Sequence, residues 1–207
     1  MSNPQGHSVA VIQVSEVEDK SFVTWDELRY RVKQCSCAMR NAGVRRNDRV
    51  AGYVANHSNA LVAMLASVAI GALWTAISPD QGVSAVLDRL EQIQPSLLFA
   101  DSAVSYNGKV HQTQDKIKEI VSSLPQLKSC VVFDTVIVST STLSHLIYPQ
   151  GRLVRFSRFV QDTPDDAPMT FEQLPADQPI YIVFSSGTTG KPKCISDRTL
   201  ITLWQHY

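Results

Sequence analysis

Apolar positions along this chain follow two alternating rhythms, stripes at three- and four-residue intervals and short unbroken runs. Leu28, Val32, Cys35 and Met39 stand on one helical face. Thr24 offers a capping hydroxyl with Glu27 three residues on, and Gly43 is the expected stop. Residues 48–54 then read as a short strand, 59–70 as a helix and 72–77 as a strand. Val83, Val86, Leu87, Leu90 and Ile93 mark a further helix that must end before Pro95. Residues 97–100 are strand-like, Ile117, Ile120, Val121 and Leu124 share a helical face, and 130–133 form another apolar run.

Runs of this kind belong to strands covered on both faces. Their alternation with helical stripes predicts an α/β fold, a mainly parallel sheet flanked by helices. Residues 135–176 are less regular, with Pro149, Pro164, Pro168 and Pro175 as breakers, and read as an insertion that returns the chain to the sheet. The apolar run 180–184 is predicted to be a strand. Leu28, Val32, Leu65, Leu87, Leu90 and Val183 are expected to be buried.

Composition narrows the class. Of 207 residues, 44% are hydrophobic and 18% charged, which fits a folded core. Lys plus Arg and Asp plus Glu are both 19, so net charge is zero and nothing points to a nucleic-acid or membrane-surface partner. The four cysteines form no C-x-x-C pair, as expected of reduced intracellular thiols, and Cys35 and Cys37 cannot share a helical face. The N-terminus lacks the pattern of a signal peptide. The uncharged stretch 60–77, interrupted by Gly71, reads as a buried helix and strand rather than a membrane span. The sequon Asn56-His57-Ser58 reads as a helix-capping turn. On these features the chain is expected in the cytosol.

The densest chemistry follows the run at 180–184: Ser185-Ser186-Gly187-Thr188-Thr189-Gly190-Lys191-Pro192-Lys193. Glycines let backbone N–H groups crowd round an anion, hydroxyls add donors and lysines add charge. A Walker A loop needs four residues between its glycines and a hydroxyl after the lysine; here two residues separate Gly187 and Gly190, and Pro192 follows Lys191. G-x-G-x-x-G has no match either. The plain alternative is a Gly/Ser/Thr surface turn.

From Ile182 to Lys193 the segment resembles, position for position, the signature loop of the adenylate-forming (AMP-binding) superfamily. Asn41-Ala42-Gly43-Val44 and Asp48-Arg49-Val50-Ala51 are similar to a helix exit and strand shared by acyl-CoA synthetases. Gly71-Ala72-Leu73-Trp74, Ser78-Pro79-Asp80, Gly82-Val83 and Val86-Leu87-Asp88-Arg89 resemble the acetoacetyl-CoA synthetases among them. So do Gln92-Ile93-Gln94-Pro95, Tyr106-Asn107-Gly108-Lys109 with His111, and Phe171-Glu172-Gln173-Leu174-Pro175.

The resemblance implies activation of acetoacetate by ATP with Mg2+, then transfer to coenzyme A, so the implied partners are small molecules. It also implies that Gly187, Thr188, Thr189 and Gly190 wrap the β- and γ-phosphates, that Lys193 supplies charge or pins the loop, and that Ser185 and Ser186 shape its entry. No catalytic or metal-binding residue is assigned. Lys191 is read as solvated surface, Trp25 and Trp74 as core anchors, Asp88-Arg89 as an exposed or locally paired couple, and His111 as no catalytic base.

The family fold continues well beyond the loop, and residues 196–207 depart from its pattern. The chain is therefore expected to be a partial N-terminal synthetase domain, family-like over 22–195 with a divergent tail, and inactive alone. Two alternatives stay open: a non-catalytic product or interaction module, and a ligase for another short acid such as acetate.

Overall fold

The computed structural model describes residues 6–16, 20–134, 152–185 and 190–198. A hairpin comes first, with β1 (Val9–Gln13) antiparallel to β2 (Ser21–Thr24). α1 (Trp25–Asn41) starts where Thr24 Oγ1 accepts the Glu27 N–H at 3.2 Å. Only this half of the predicted capping box forms, because the Glu27 carboxylate faces Arg31 at 3.4 Å. β3 (Arg49–Tyr53), α2 (Ser58–Ile70), β4 (Leu73–Ile77), α3 (Val83–Ile93) and β5 (Leu97–Asp101) then alternate as the pattern predicts. His57 caps α2 by accepting the Ala60 N–H at Nδ1, so the sequon is a capping turn. β6 (Ala103–Tyr106) and β7 (Lys109–Gln112) form a second hairpin, followed by α4 (Gln114–Ser123) and β8 (Ser129–Phe133). β9 (Leu153–Arg155), α5 (Phe156–Val160), β10 (Pro179–Ser185) and β11 (Lys193–Arg198) complete the described elements.

Seven strands make the main sheet, in the order β11-β10-β4-β3-β5-β8-β9. All neighbours are parallel except β10 and β11, so the fold is the expected mixed α/β with a mainly parallel sheet. From β3 the chain adds β4 on one side and then β5 on the other, which puts the reversal of strand order between β3 and β5. The loops after β3, β4, β5 and β10 leave from the same, carboxyl edge. Ligands of open parallel sheets bind along that edge.

Alternate residues of each central strand feed two cores. Val50, Trp74, Leu97, Phe99, Val131 and Phe133 meet α1 and α2 on one face. Ala51, Tyr53, Leu73, Ile77, Leu98, Ala100, Cys130 and Val132 meet α3 and α4 on the other. Burial on both faces is why these strands are continuous apolar runs. The uncharged stretch 60–77 is α2 and β4, and no helix among the described residues is long and apolar enough to cross a membrane.

Leu28, Val32 and Leu90 are buried as expected, but Leu65 and Leu87 are only half-buried. Val183 is 49% exposed. Ile182, on the other face of β10, is buried, while Val183 joins neither core. Trp74 is a core anchor, whereas Trp25 is 41% exposed with its ring 5.7 Å from the Arg29 guanidinium. The irregular stretch 135–176 does return the chain to the sheet; within it, residues 135–151 lie outside the described residues, and β9 extends the sheet beside β8.

Candidate functional site

The predicted strand at 180–184 is β10, and the glycine- and hydroxyl-rich loop leaves its carboxyl end. β10 pairs antiparallel with β11, which sets Ser185 opposite Lys193 and Phe184 opposite Cys194. The two strands are thus the stems of the loop. Ser185 and Lys193 are both exposed. Ser186, Gly187, Thr188 and Thr189 lie outside the described residues. Gly190 has φ 128°, a conformation that L side chains rarely adopt, and a Cβ there would meet open space. Its glycine is therefore required by the backbone rather than by crowding.

Lys191 is exposed, as read from the sequence, but it has a partner. Its Nζ lies 3.2 Å from Asp88 Oδ1 on α3. Gln92, one turn further along α3, donates from Nε2 to the Pro192 carbonyl at 3.0 Å. Between them in sequence, Arg89 stacks over the Phe184 ring at 5.8 Å. Asp88 and Arg89 thus have both local and distant partners: Arg89 Nη1 donates to the Ala85 carbonyl one turn back, while Asp88 meets Lys191 and Arg89 covers Phe184. Those last two lie about a hundred residues away in sequence, a separation that spacing rules cannot bridge. Asp88, Glu91 and Gln92 face Lys191, Pro192, Lys193 and Cys194 across an open groove beside the stems.

The neighbouring edge loops are held by buried polar contacts. Tyr53 Oη donates to the carbonyls of Pro79 and Gln81 at 2.8 and 2.9 Å, which fixes the turn after β4. Burial, aided by the charge of Asp80, pushes the Tyr53 hydroxyl up to about 12, so it stays a donor. Asp101, fully buried at the end of β5, accepts the Ala55 N–H at 2.7 Å and faces His57 Nε2 at 2.8 Å. With His57 Nδ1 already accepting from Ala60, the ring proton sits on Nε2 and is donated to Asp101. This clasp joins the loops after β3 and β5 at the reversal of strand order.

The remaining reactive groups are quiet. Burial pushes the Cys35 and Cys130 thiols up, and desolvation raises Cys194, so none is primed as a thiolate nucleophile. His111 lies exposed on β7. Among the described residues, no group of three or more His, Cys, Asp or Glu could hold a metal ion.

Known proteins agree with this fold. The AMP-binding enzyme family matches residues 2–199. Malonamoyl-CoA synthetase vrtB of Penicillium aethiopicum is 47% identical over 96% of this chain and 28% of its own length. Acetoacetyl-CoA synthetase of Macaca fascicularis is 44% identical over 89% of the chain and 27% of its own length. Among solved structures, an acetoacetyl-CoA synthetase from Streptomyces lividans superposes with a TM-score of 0.83 at 35% identity, covering 96% of this chain and 29% of that one. The chain thus spans a little over a quarter of the length of the curated relatives it matches. By its sequence and its fold, this chain belongs to the AMP-binding enzyme family.

Proposed function

We propose that these residues form the phosphate-loop portion of an acid–CoA ligase that acts on a short acid with a carbonyl at the 3-position. The observation that carries the reading is the loop itself, Ser185 to Lys193, at the carboxyl edge of a mainly parallel sheet. Likeness to acetoacetyl-CoA synthetases across most of the chain supports acetoacetate as the acid. The likeness to a malonamoyl-CoA synthetase supports a second candidate, malonamate. The two acids differ only in a methyl against an amino group on the same 3-carbonyl, so one pocket shape suits both.

In the reaction the acid's carboxylate oxygen attacks the α-phosphorus of ATP and pyrophosphate leaves. The thiolate of coenzyme A then attacks the acyl carbon and AMP leaves. Charge builds on the departing pyrophosphate, so donors fixed beside the β- and γ-phosphates lower the barrier. We assign that task to Gly187, Thr188, Thr189 and Gly190 through backbone N–H groups and the threonine hydroxyls. Lys193 supplies charge, and Ser185 and Ser186 shape the loop's entry. Magnesium is implied as the companion of ATP. With no cluster of metal-binding side chains among the described residues, no step is assigned to it. The proposed compartment is the cytosol, and the 207 residues are proposed to be a partial N-terminal synthetase domain.

The test is thioester formation by a polypeptide carrying these residues at the full length of the relatives, assayed with acetoacetate, malonamate, acetate and a long-chain acid. Preference for either 3-carbonyl acid supports the reading. Preference for acetate or the long-chain acid discards the substrate class and leaves the family intact.

A further inference from the structure

β11 is an edge strand with little to hold it. Lys193, Cys194, Ile195 and Ser196 are all exposed, so the hydrophobic effect does not anchor this stem. Its ladder to β10 fixes one side. Further contacts come from one face of α3, where Asp88, Arg89 and Gln92 reach the entering stem and the two residues before the leaving one. Arg89, itself held by a bond from Nη1 to the Ala85 carbonyl at 2.6 Å, covers Phe184 on the entering stem. Asp88 and Gln92 take Lys191 and Pro192, the two residues just before the leaving stem. Gln92 Nε2 also donates to the Asp88 carbonyl at 2.6 Å, which fixes the amide against its own helix.

We infer that α3 is the clamp of the phosphate loop, with Asp88, Arg89 and Gln92 as positioning residues that set the separation of its two stems. The ion pair also sorts the two lysines. Asp88 neutralises Lys191, while Lys193 has no ion-pair partner among the described residues and keeps its charge for an anion. The importance of the clamp for nucleotide rests on the phosphate reading of the loop; the clamp itself rests on geometry alone.

The experiment is hydrogen exchange by mass spectrometry on the purified 207-residue chain, following peptides that span 184–195. Asp88→Lys and Lys191→Asp should each speed exchange there about two- to fivefold, the size an exposed ion pair supports. The double variant should restore the slower rate, which a merely structural loss at either site would not do. Gln92→Ala should act in the same direction with no change of charge, and it serves if a charge reversal prevents folding. Unchanged exchange in the single variants, or a double variant that only adds their effects, overturns the clamp. Millimolar inorganic pyrophosphate tests the other reading separately. Slower loop exchange on adding it, lost in Lys193→Ala and kept in Lys191→Ala, supports both readings. Absence of any pyrophosphate effect beside a working charge swap upholds the clamp and removes the phosphate reading.

Discussion

A buried carboxylate stands or falls by its donors, and Asp101 has two, the Ala55 N–H and the His57 ring. Asp101→Ala strips both and leaves them facing apolar surroundings that include Phe133, 5.5 Å from the imidazole. The expected loss is about 3 kcal/mol of stability, read as a lower urea midpoint. Asp101→Asn should cost less, because its amide oxygen can still accept from one of the two. Equal midpoints for wild type and Asp101→Ala contradict this role. Sequence reading placed a capping turn at His57 but not the clasp, because Asp101 lies 44 residues further along the chain. The same limit hid the pairing of Lys191 with Asp88: a lysine beside a proline in a loop carries no mark of the helix that will receive it.

Among the elements, helices with a single stripe and strands buried on both faces were legible, since each has a periodicity that burial enforces. Val183 shows where that logic fails. An apolar run announces a strand buried on both faces, but β10 is covered on one side only at this point: Ile182 is buried and Val183 joins neither core. The hairpin of β6 and β7 was missed although its signal is present: Asn107 and Gly108 both have positive φ, 53° and 68°, as a two-residue primed turn requires. All four residues of β7 are exposed, so no burial pattern marks that strand. Glu16 Oε2 accepts the Gly108 N–H at 3.0 Å, and hydrogen bonds from Gly108 and then Asn107 lower the Glu16 pKa from 4.5. A lowered carboxylate pKa means that the contact is complete above pH 4.5 and is lost as pH falls through the folded value. In an NMR titration the Gly108 amide shift should move with a midpoint below 4.5 and stay flat in Glu16→Gln. A flat wild-type profile removes the contact.

At the scale of the whole molecule, the family was legible from nine consecutive residues, because a glycine- and hydroxyl-rich loop after an apolar strand is a local sequence pattern. The acid was less legible, since an acyl pocket is assembled from distant parts of a chain. A loop alone also holds reactants from one side, and much of catalysis is the joint orientation of attacking and leaving groups. The 207 residues by themselves should therefore show no adenylation. At the relatives' full length, these residues should support it. Replacing Thr188 and Thr189 by Ala there should slow the first half-reaction by at least about a hundredfold, the usual scale for removing donors to developing charge.

Acid-dependent exchange of labelled pyrophosphate into ATP tests the central claim most directly, because it reports carboxylate activation without coenzyme A. The account predicts exchange with acetoacetate or malonamate in a full-length polypeptide carrying these residues, collapse in the Thr188→Ala/Thr189→Ala variant, and none from the 207 residues alone. Exchange that ignores the acid, or that survives loss of both threonines, contradicts the account.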